Sequence, residues 1–548
     1  MNMKALRNIL LLTFCLFPWF SFLQVTSGNN KTFEIAKNLE IFVEVYKNLN
    51  NHYVDDLDPA TIMNVGLDAI MKSLDPYTRF YSESEIESYR FQTEGKYDGI
   101  GARIAKIEDA VTVLETYEGG PAVAAGLRAG DQIVTIDGIS LLNKSNEEVK
   151  DVLLGTGGAE VVLGVKRYGD SEVQSIPVKK GEVNVKNVPY SGMIDDEYGY
   201  IALSTFTEQA GSNVRGALLE LINNNKGLKG LIFDLRGNGG GYLREAVEVS
   251  NVFLPKGQLI ASTKGKVLEE QKSYKTMKDA VSEELPVIVL IDGNSASASE
   301  IVSGSLQDYD RAVLLGERTY GKGLVQITKN LPYNNRMKLT TSKYYIPSGR
   351  CIQSVEYDAD GEPIVIADSL RTTFKTSNGR VVLDGGGVKP DVELSSDINP
   401  EILQHLRQKY LIFNYANEYY LHHPEIGNVE EFEYEDYQDW LKFIESKGFN
   451  YQSKAQSALD ELKNNVSDYK KFEKEIKAIS NQLAKEKESS LEEHQQVIQQ
   501  EIGKEIASRY YLQKGKILYA LRHDPQITKA IEVMKDQKRY NEILAKGN

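Results

Sequence analysis

Val287-Ile-Val-Leu-Ile-Asp-Gly-Asn-Ser-Ala-Ser-Ala-Ser-Glu-Ile301 passes from five consecutive apolar residues through a short polar turn into three alternately spaced serines. A short apolar run bounded by turn residues reads as a strand buried on both faces. Ser297-Ala-Ser-Glu300 then fits the S-x-x-E box that opens a helix. The order recurs upstream, where Gly230 to Phe233 precede Gly237-Asn-Gly-Gly-Gly241 and a helical run from Tyr242. Strands alternating with helices from about Gly181 to Leu394 predict an α/β unit holding the largest core.

Outward from this unit the texture changes on both sides. From about Tyr97 to Lys180, short β-type runs such as Ala110 to Leu114 and Gln132 to Ile136 are separated by glycine-rich turns, which predicts a compact β-rich module. Between Phe33 and Tyr89 apolar residues recur at helical spacing, as in Ile41, Val45 and Leu49, and predict a small helical domain. After Pro400 the chain is charged and glycine-poor, with no proline between Pro424 and Pro525, and should be helical. Lys485 to Glu493 reads as a solvated helix face. The expected segments are 1–27, 28–95, 96–180, 181–398 and 399–548.

At 548 residues the chain is too long for one core, and its net charge of -14 repels phosphate backbones and anionic lipid, which argues against nucleic-acid partners. Lys4 and Arg7, an apolar run from Ile9 to Leu23, and the small residues to Ser27 have the order of a secretory signal cleaved after Ser27. The alternative is an uncleaved anchor, although Pro18 interrupts the run. Either reading predicts an exported protein, periplasmic or attached to the cell envelope. Cleavage would remove Cys15 and leave Cys351 alone, so no internal disulfide is expected.

A serine hydroxyl is a weak nucleophile until a base takes its proton. The six histidines are His52, His405, His422, His423, His494 and His523, so the α/β unit contains none. A Ser-His-Asp set there is excluded by inventory, and no His/Cys cluster has zinc spacing, so no metal and no cofactor is expected. The candidate base is Lys322, in Gly316-Glu-Arg-Thr-Tyr-Gly-Lys-Gly323. This stretch has the G-x-x-x-x-G-K spacing of a phosphate-binding loop, but Gly323 stands where Ser or Thr should follow, and β-prone Leu324 to Ile327 replace the helix. If Lys322 opens a strand, period two places Lys322, Leu324 and Gln326 on one face, so that Gln326 can aim the amine. Lowering a lysine pKa from about 10.4 to near 7.5 takes about 4 kcal/mol of differential solvation, which a closed pocket can supply.

Ser-Ala-Ser-Ala-Ser-Glu-Ile, Leu306-Gln-Asp308, Thr319-Tyr-Gly-Lys-Gly323 and Val325-Gln326 together resemble the active-site run of the carboxy-terminal processing proteases, serine peptidases with a Ser-Lys dyad. In that family the serine stands 25 positions before the lysine, which selects Ser297 for Lys322. The resemblance further implies a supporting role for Gln326. It also implies an oxyanion hole built from a donor near Gly239 or Gly240 beside the Ala298 amide, with Glu300 and Thr319 as supporting residues. Asp308 lies 11 residues beyond Ser297, about 16 Å along a helix, and is read as structural.

Tyr97-Asp-Gly-Ile-Gly-Ala102 and Gly120-Pro-Ala-Val-Ala-Ala-Gly-Leu-Arg-Ala-Gly-Asp-Gln-Ile-Val-Thr-Ile-Asp-Gly138 resemble a PDZ domain, which adds a peptide C-terminus as a strand and holds its carboxylate on loop amides. Gly99, Ile100 and Gly101 match that loop. The implied fold is multidomain α+β, a ClpP/crotonase-like α/β serine protease core with an inserted PDZ domain, a helical N-terminal domain and a helical C-terminal extension. The implied partners are protein or peptide substrates with a free C-terminus, and a second copy of the chain through the helical N- or C-terminal regions. Three other readings remain open at this point: a peptide-binding scaffold without activity, a crotonase-like acyl-CoA enzyme and, more remotely, a phosphate-loop ATPase.

Overall fold

The computed structural model describes residues 26–86, 89–90, 94–144, 146–155, 157–353, 364, 366–395, 400–465 and 472–545. Most of the expected export signal lies outside them. The chain divides into two units, Met1–Phe80 and Tyr81–Asn548.

The first unit contributes two helices, α1 (Thr26–His52) and α2 (Pro59–Lys72). The second is capped by Asp58, which accepts hydrogen bonds from the Ala60 and Thr61 amides, with Pro59 at the first helical position. No residue of α2 is buried. The helical spacing is therefore present without a core of its own.

In the second unit, the β-rich module is a sheet of β2 (Ala102–Ile107), β3 (Ala110–Thr116), β4 (Gln132–Ile136), β5 (Glu160–Lys166) and β6 (Val173–Lys179), antiparallel in that order. Val113, Ile133, Leu163, Val165 and Val178 form its core. Helix α3 (Asn146–Leu153) lies between β4 and β5 in the chain. The entering strand β1 (Lys96–Gly99) and the leaving strand β7 (Gly181–Asn184) pair antiparallel, Tyr97 opposite Val183 and Gly99 opposite Gly181.

The α/β unit is a six-stranded sheet in the order β8 (Tyr190–Met193), β9 (Tyr198–Ala202), β10 (Gly230–Asp234), β12 (Val287–Ile291), β13 (Val313–Gly316) and β16 (Val392–Glu393). Only β8 is antiparallel to its neighbour. Every residue of β10 and β12 is buried, because both faces of these strands are covered. On one face α4 (Ala210–Asn224), α5 (Leu243–Phe253) and α6 (Ala298–Asp308) contribute Leu218, Val249, Phe253 and Val302 against Leu231, Phe233, Val289 and Leu314. On the other face Ile232, Ile288, Leu290, Val313 and Leu315 pack on Ile527, Ala530, Val533, Met534 and Tyr540. A smaller sheet brings β11 (Leu259–Gly265) and β14 (Leu324–Asn330) to either side of β15 (Arg336–Tyr345).

The residues covering that second face belong to the charged region after Pro400. Its first part forms a separate helical core around Tyr415, Trp440, Ile498 and Ile502. The helical segment α7 (Gln495–His523), broken by a kink at Leu512 where φ is 52°, then leads to α8 (Pro525–Lys535) and α9 (Gln537–Leu544), which lie on the sheet. The region is as helical as its composition predicts. Its end is nonetheless an inner layer of the α/β unit, so the two segments share one core.

Candidate active site

Strands β10, β12 and β13 run parallel, with Asp234 opposite Leu290 and Ile291 opposite Gly316, so the loops that follow them leave from the same sheet edge. That edge, beyond the carboxyl ends of parallel strands, is where α/β sheets offer a crevice. The loops are 235–242, 292–297 and 317–323.

The three alternate serines are not equivalent. Ser295 Oγ donates to Leu235 O at 2.9 Å, and Ser299 Oγ donates to Asn238 O at 2.7 Å; both side chains are fully buried and hold the glycine loop against the serine turn. Ser297 alone is partly exposed and faces a cavity of about 480 Å³. Its backbone sits at φ 56° and ψ -110°. A non-glycine residue pays for such a conformation, and strain of this kind is retained where a sharp strand-to-helix turn must present a side chain.

Gly240 packs against that turn. A Cβ there would lie 2.8 Å from Ser297 Cβ, 2.7 Å from Ala296 O and 3.0 Å from Ala298 N, and φ is 101°, so only glycine fits. The Gly240 amide, one of the two alternatives for the oxyanion donor, donates to Asn238 Oδ1 at 2.9 Å and is thereby occupied. Among the described residues no protein acceptor takes the Gly239 or the Ala298 amide. The first N–H groups of a helix are left over in any case, and here they point with the helix dipole toward the cavity end. Both glycines and Ala298 line the cavity.

Glu300 joins the serine turn to the lysine loop. Its carboxylate is fully buried and accepts four hydrogen bonds: Oε2 from the Ser297 and Lys322 amides, each at 2.8 Å, and Oε1 from Thr319 Oγ1 at 2.6 Å and the Gly321 amide at 2.7 Å. Burial raises its pKa from 4.5 to about 7, against the opposing effect of the four donors. Thr319 is tied in turn, accepting from the Val388 amide at 2.6 Å. Tyr344, 1% exposed, completes the link from another side, with its hydroxyl 2.7 Å from Lys322 O and 3.1 Å from Ser297 O. Lys322 and Ser297 line the same cavity.

Strand β14 starts at Leu324, after Lys322, and its pairing with β15 shifts register between Val325 and Gln326. The residue left over is Thr341 of β15, and Leu324, Val325 and Gln326 all line the cavity together with Lys322. Gln326 Nε2 donates to Thr340 Oγ1 at 3.2 Å. The strand also removes the helix a phosphate-binding loop would need after Lys322. Asp308 closes the far end of α6, paired with Arg350 at 2.9 Å and accepting the Ser348 amide at 2.9 Å, away from the cavity.

In the β-rich module Gly99, Ile100 and Gly101 form the turn between β1 and β2. Gly101 has φ 77°, while Ile100 O and Gly101 O accept from the Ala122 and Tyr117 amides. Among the described residues β2 pairs only with β3, so its second edge is open.

Two contributors had escaped the sequence reading: Asn238 and Tyr344. Asn238 lay within the quoted Gly-Asn-Gly-Gly run, yet nothing in its spacing showed that its side chain would span Leu203 O and the Gly240 amide. Tyr344 carried no signal.

The α/β segment matches the model of peptidase family S41 over residues 197–361, residues 112–167 match a PDZ domain, and residues 402–534 match the probable PDZ-protease C-terminal helical domain. A carboxy-terminal-processing protease of Bartonella bacilliformis is 33% identical over 354 residues, covering 64% of this chain and 80% of that one. A probable CtpA-like serine protease of Staphylococcus aureus is 33% identical over 333 residues, covering 60% of this chain and 65% of the other. Among solved structures, a photosystem II D1 C-terminal processing protease is 26% identical with a TM-score of 0.36, over 66% of this chain and 93% of that chain. Fold and similarity together define a serine-type peptidase carrying a PDZ module. The chain belongs to peptidase family S41, with the carboxy-terminal processing proteases.

Proposed function

We propose that the protein is an exported endopeptidase that captures polypeptide C-termini on its PDZ module and cuts by a Ser-Lys acyl-enzyme mechanism. The carrying observation is that Glu300 and Tyr344 both bond to the Ser297 and the Lys322 backbones at the wall of one cavity. In this reading a substrate C-terminus adds as a strand to the open edge of β2, with its carboxylate at Gly99, Ile100 and Gly101. The scissile carbonyl enters the cavity, and neutral Lys322 takes the Ser297 proton as Oγ attacks. The Gly239 and Ala298 amides hold the oxyanion. Collapse breaks the C–N bond as Lys322 returns the proton to the leaving amine. Water, deprotonated by Lys322, then attacks the acyl carbonyl, the C–Oγ bond breaks, and Lys322 returns the proton to Ser297 Oγ. Gln326 keeps a supporting place on the cavity wall, Glu300 and Thr319 hold the backbone, and activity rises toward alkaline pH as the amine becomes neutral.

The basic and apolar start of the chain supports export to the periplasm or cell envelope. A second copy is supported by α1, where Ile35, Leu39, Phe42, Tyr46 and Leu49 follow alternating steps of four and three and all but Tyr46 are exposed. The net charge of -14 supports peptide rather than nucleic-acid substrates.

The test is hydrolysis of an unstructured polypeptide by Ser297→Ala, with Ser295→Ala and Ser299→Ala as controls, read by mass spectrometry with and without the substrate's free terminal carboxylate. Loss of cleavage only in Ser297→Ala, with peptide binding retained, supports the assignment. Unchanged turnover in Ser297→Ala removes it.

A further inference from the structure

The glycine loop is held from two directions. Toward the serine turn it is fixed by Ser295 and Ser299 and by the Gly237 amide on Asp292 Oδ1 at 3.0 Å. On the other side Asn238 Nδ2 donates to Leu203 O at 2.7 Å and the Phe206 amide to Gly240 O at 2.9 Å, and the start of the loop is anchored by Arg236. This guanidinium makes a forked contact with Asp234, Nη2 to Oδ2 at 2.6 Å and Nε to Oδ1 at 3.0 Å, and Asp234 also accepts from Tyr200 Oη at 2.8 Å. The remaining arm of Arg236 leaves the α/β unit. Nη1 lies 2.7 Å from Asp524 Oδ2 and 2.8 Å from Gln526 Oε1, at the junction of α7 and α8. Neither acceptor is loose. Asp524 caps α8 through its other oxygen, which takes the Gln526 and Ile527 amides at 2.8 and 3.3 Å, and Gln526, 1% exposed, donates to Leu394 O at 2.8 Å.

Arg236 is three residues from Gly239. Charge-assisted hydrogen bonds from a planar guanidinium are directional, so a fork fixed on both sides fixes the backbone that carries it. We infer that Asp524 and Gln526, in the C-terminal helical region, are positioning residues for the oxyanion hole, acting through Arg236 on the loop that presents the Gly239 amide. The helical region thus has a part in the chemistry, and its docking on the sheet sets the donor geometry that the transition state requires. This inference rests on the assignment of Gly239 as an oxyanion donor.

Asp524→Ser tests it selectively, since serine keeps the helix cap while it cannot reach Arg236. In the full chain, kcat for a peptide substrate should fall roughly 10- to 100-fold with KM within about twofold, the order expected when a preorganised donor is displaced. Affinity for a peptidyl boronate, whose tetrahedral adduct fills the oxyanion hole, should fall in parallel with kcat. Binding of the same peptide sequence to a Ser297→Ala background should not change. The inference is overturned if kcat per folded molecule is unchanged. It is overturned equally if activity falls only with the melting temperature while boronate affinity per folded molecule holds. If the unmodified protein binds the boronate no more tightly than the peptide, the underlying Ser297 assignment fails instead.

Discussion

The Tyr344 hydroxyl donates to the Lys322 carbonyl at 2.7 Å, from a side chain that is 1% exposed. The same oxygen lies 3.1 Å from Ser297 O, so a single phenol spans the backbones of both candidate dyad residues. Tyr344→Phe keeps the ring in place and removes only that link. The cost in stability should be about 1 kcal/mol, the usual net worth of such a bond. Turnover should fall about tenfold with KM unchanged, because the loops lose registry and not the cavity. Steady-state kinetics beside urea unfolding separate the two effects, and full turnover in the variant would show that Glu300 alone holds the pair.

Glu300 makes the fold and the site respond oppositely to pH. Its folded pKa of about 7 stands above the ordinary 4.5, so the folded state binds more protons between those values. Stability from this group is therefore greatest below about pH 4.5 and is lost as pH rises through about 7, by a total of about 3 kcal/mol. The four donors converging on it, in contrast, suit the ionised form, so activity should grow over the same window. Glu300→Gln should flatten the difference in unfolding free energy between pH 5 and pH 8. It should also lower kcat at least tenfold, since an amide NH2 opposes two of the four donors. A variant retaining the wild-type pH slope of stability would assign that slope to other groups.

Gly240→Ala puts a methyl 2.8 Å from Ser297 Cβ at a φ of 101°. Either the serine turn or the glycine loop must retreat, and a loss of activity greater than about 100-fold is expected from that misplacement. The melting temperature should fall by a few degrees at most if the loop gives way locally. Activity within twofold of wild type would contradict the close packing described.

The C-terminal helices should not be separable from the α/β unit. A chain ended at Leu394 uncovers Ile232, Ile288, Leu290, Val313 and Leu315, a contiguous apolar face in the folded protein. Such faces drive association. Expression of the shortened chain should give aggregates with raised binding of a hydrophobic dye; a soluble, monomeric product would refute the shared core.

Helix α1 offers a narrower test of self-association. Replacing Leu39 and Phe42 together by glutamate places charge in the middle of the four-three stripe, where Leu39 is 61% and Phe42 41% exposed. Sedimentation velocity should then report a smaller particle than the unmodified chain; identical profiles would place any interface elsewhere.

What the amino-acid order disclosed followed local periodicity. The strand at Val287 to Ile291, the turn after it and the helix from Ala298 are each set by neighbours a few residues apart, and the missing histidines narrowed the base to another residue type. The capping arm of Glu300 was visible because it spans three residues. Its bonds to Thr319, Gly321 and Lys322 were not, since loops 19 to 22 positions away meet only once the sheet is built. The same holds for Tyr344, reached across 22 and 47 positions. The register shift between Val325 and Gln326 was not legible, because the residue it leaves over, Thr341, lies in the partner strand and carries no marker such as glycine. In the tail, the scarcity of glycine and proline predicted helix, but nothing local named the sheet that Ile527, Ala530, Val533 and Met534 cover.

The paired strands β1 and β7 end where the Val185 amide donates to Gly95 O at 2.9 Å, and Gly95 and Val185 both belong to the wall of the cavity that Ser297 and Lys322 line. The peptide-reading insert thus enters and leaves at that wall, and it also leans on the C-terminal helices, where Gly130 lies against Asn417 and Gly169 against Leu421. Exchanging the reader would therefore disturb two seams at once, the threshold of the cavity and the helical buttress behind it.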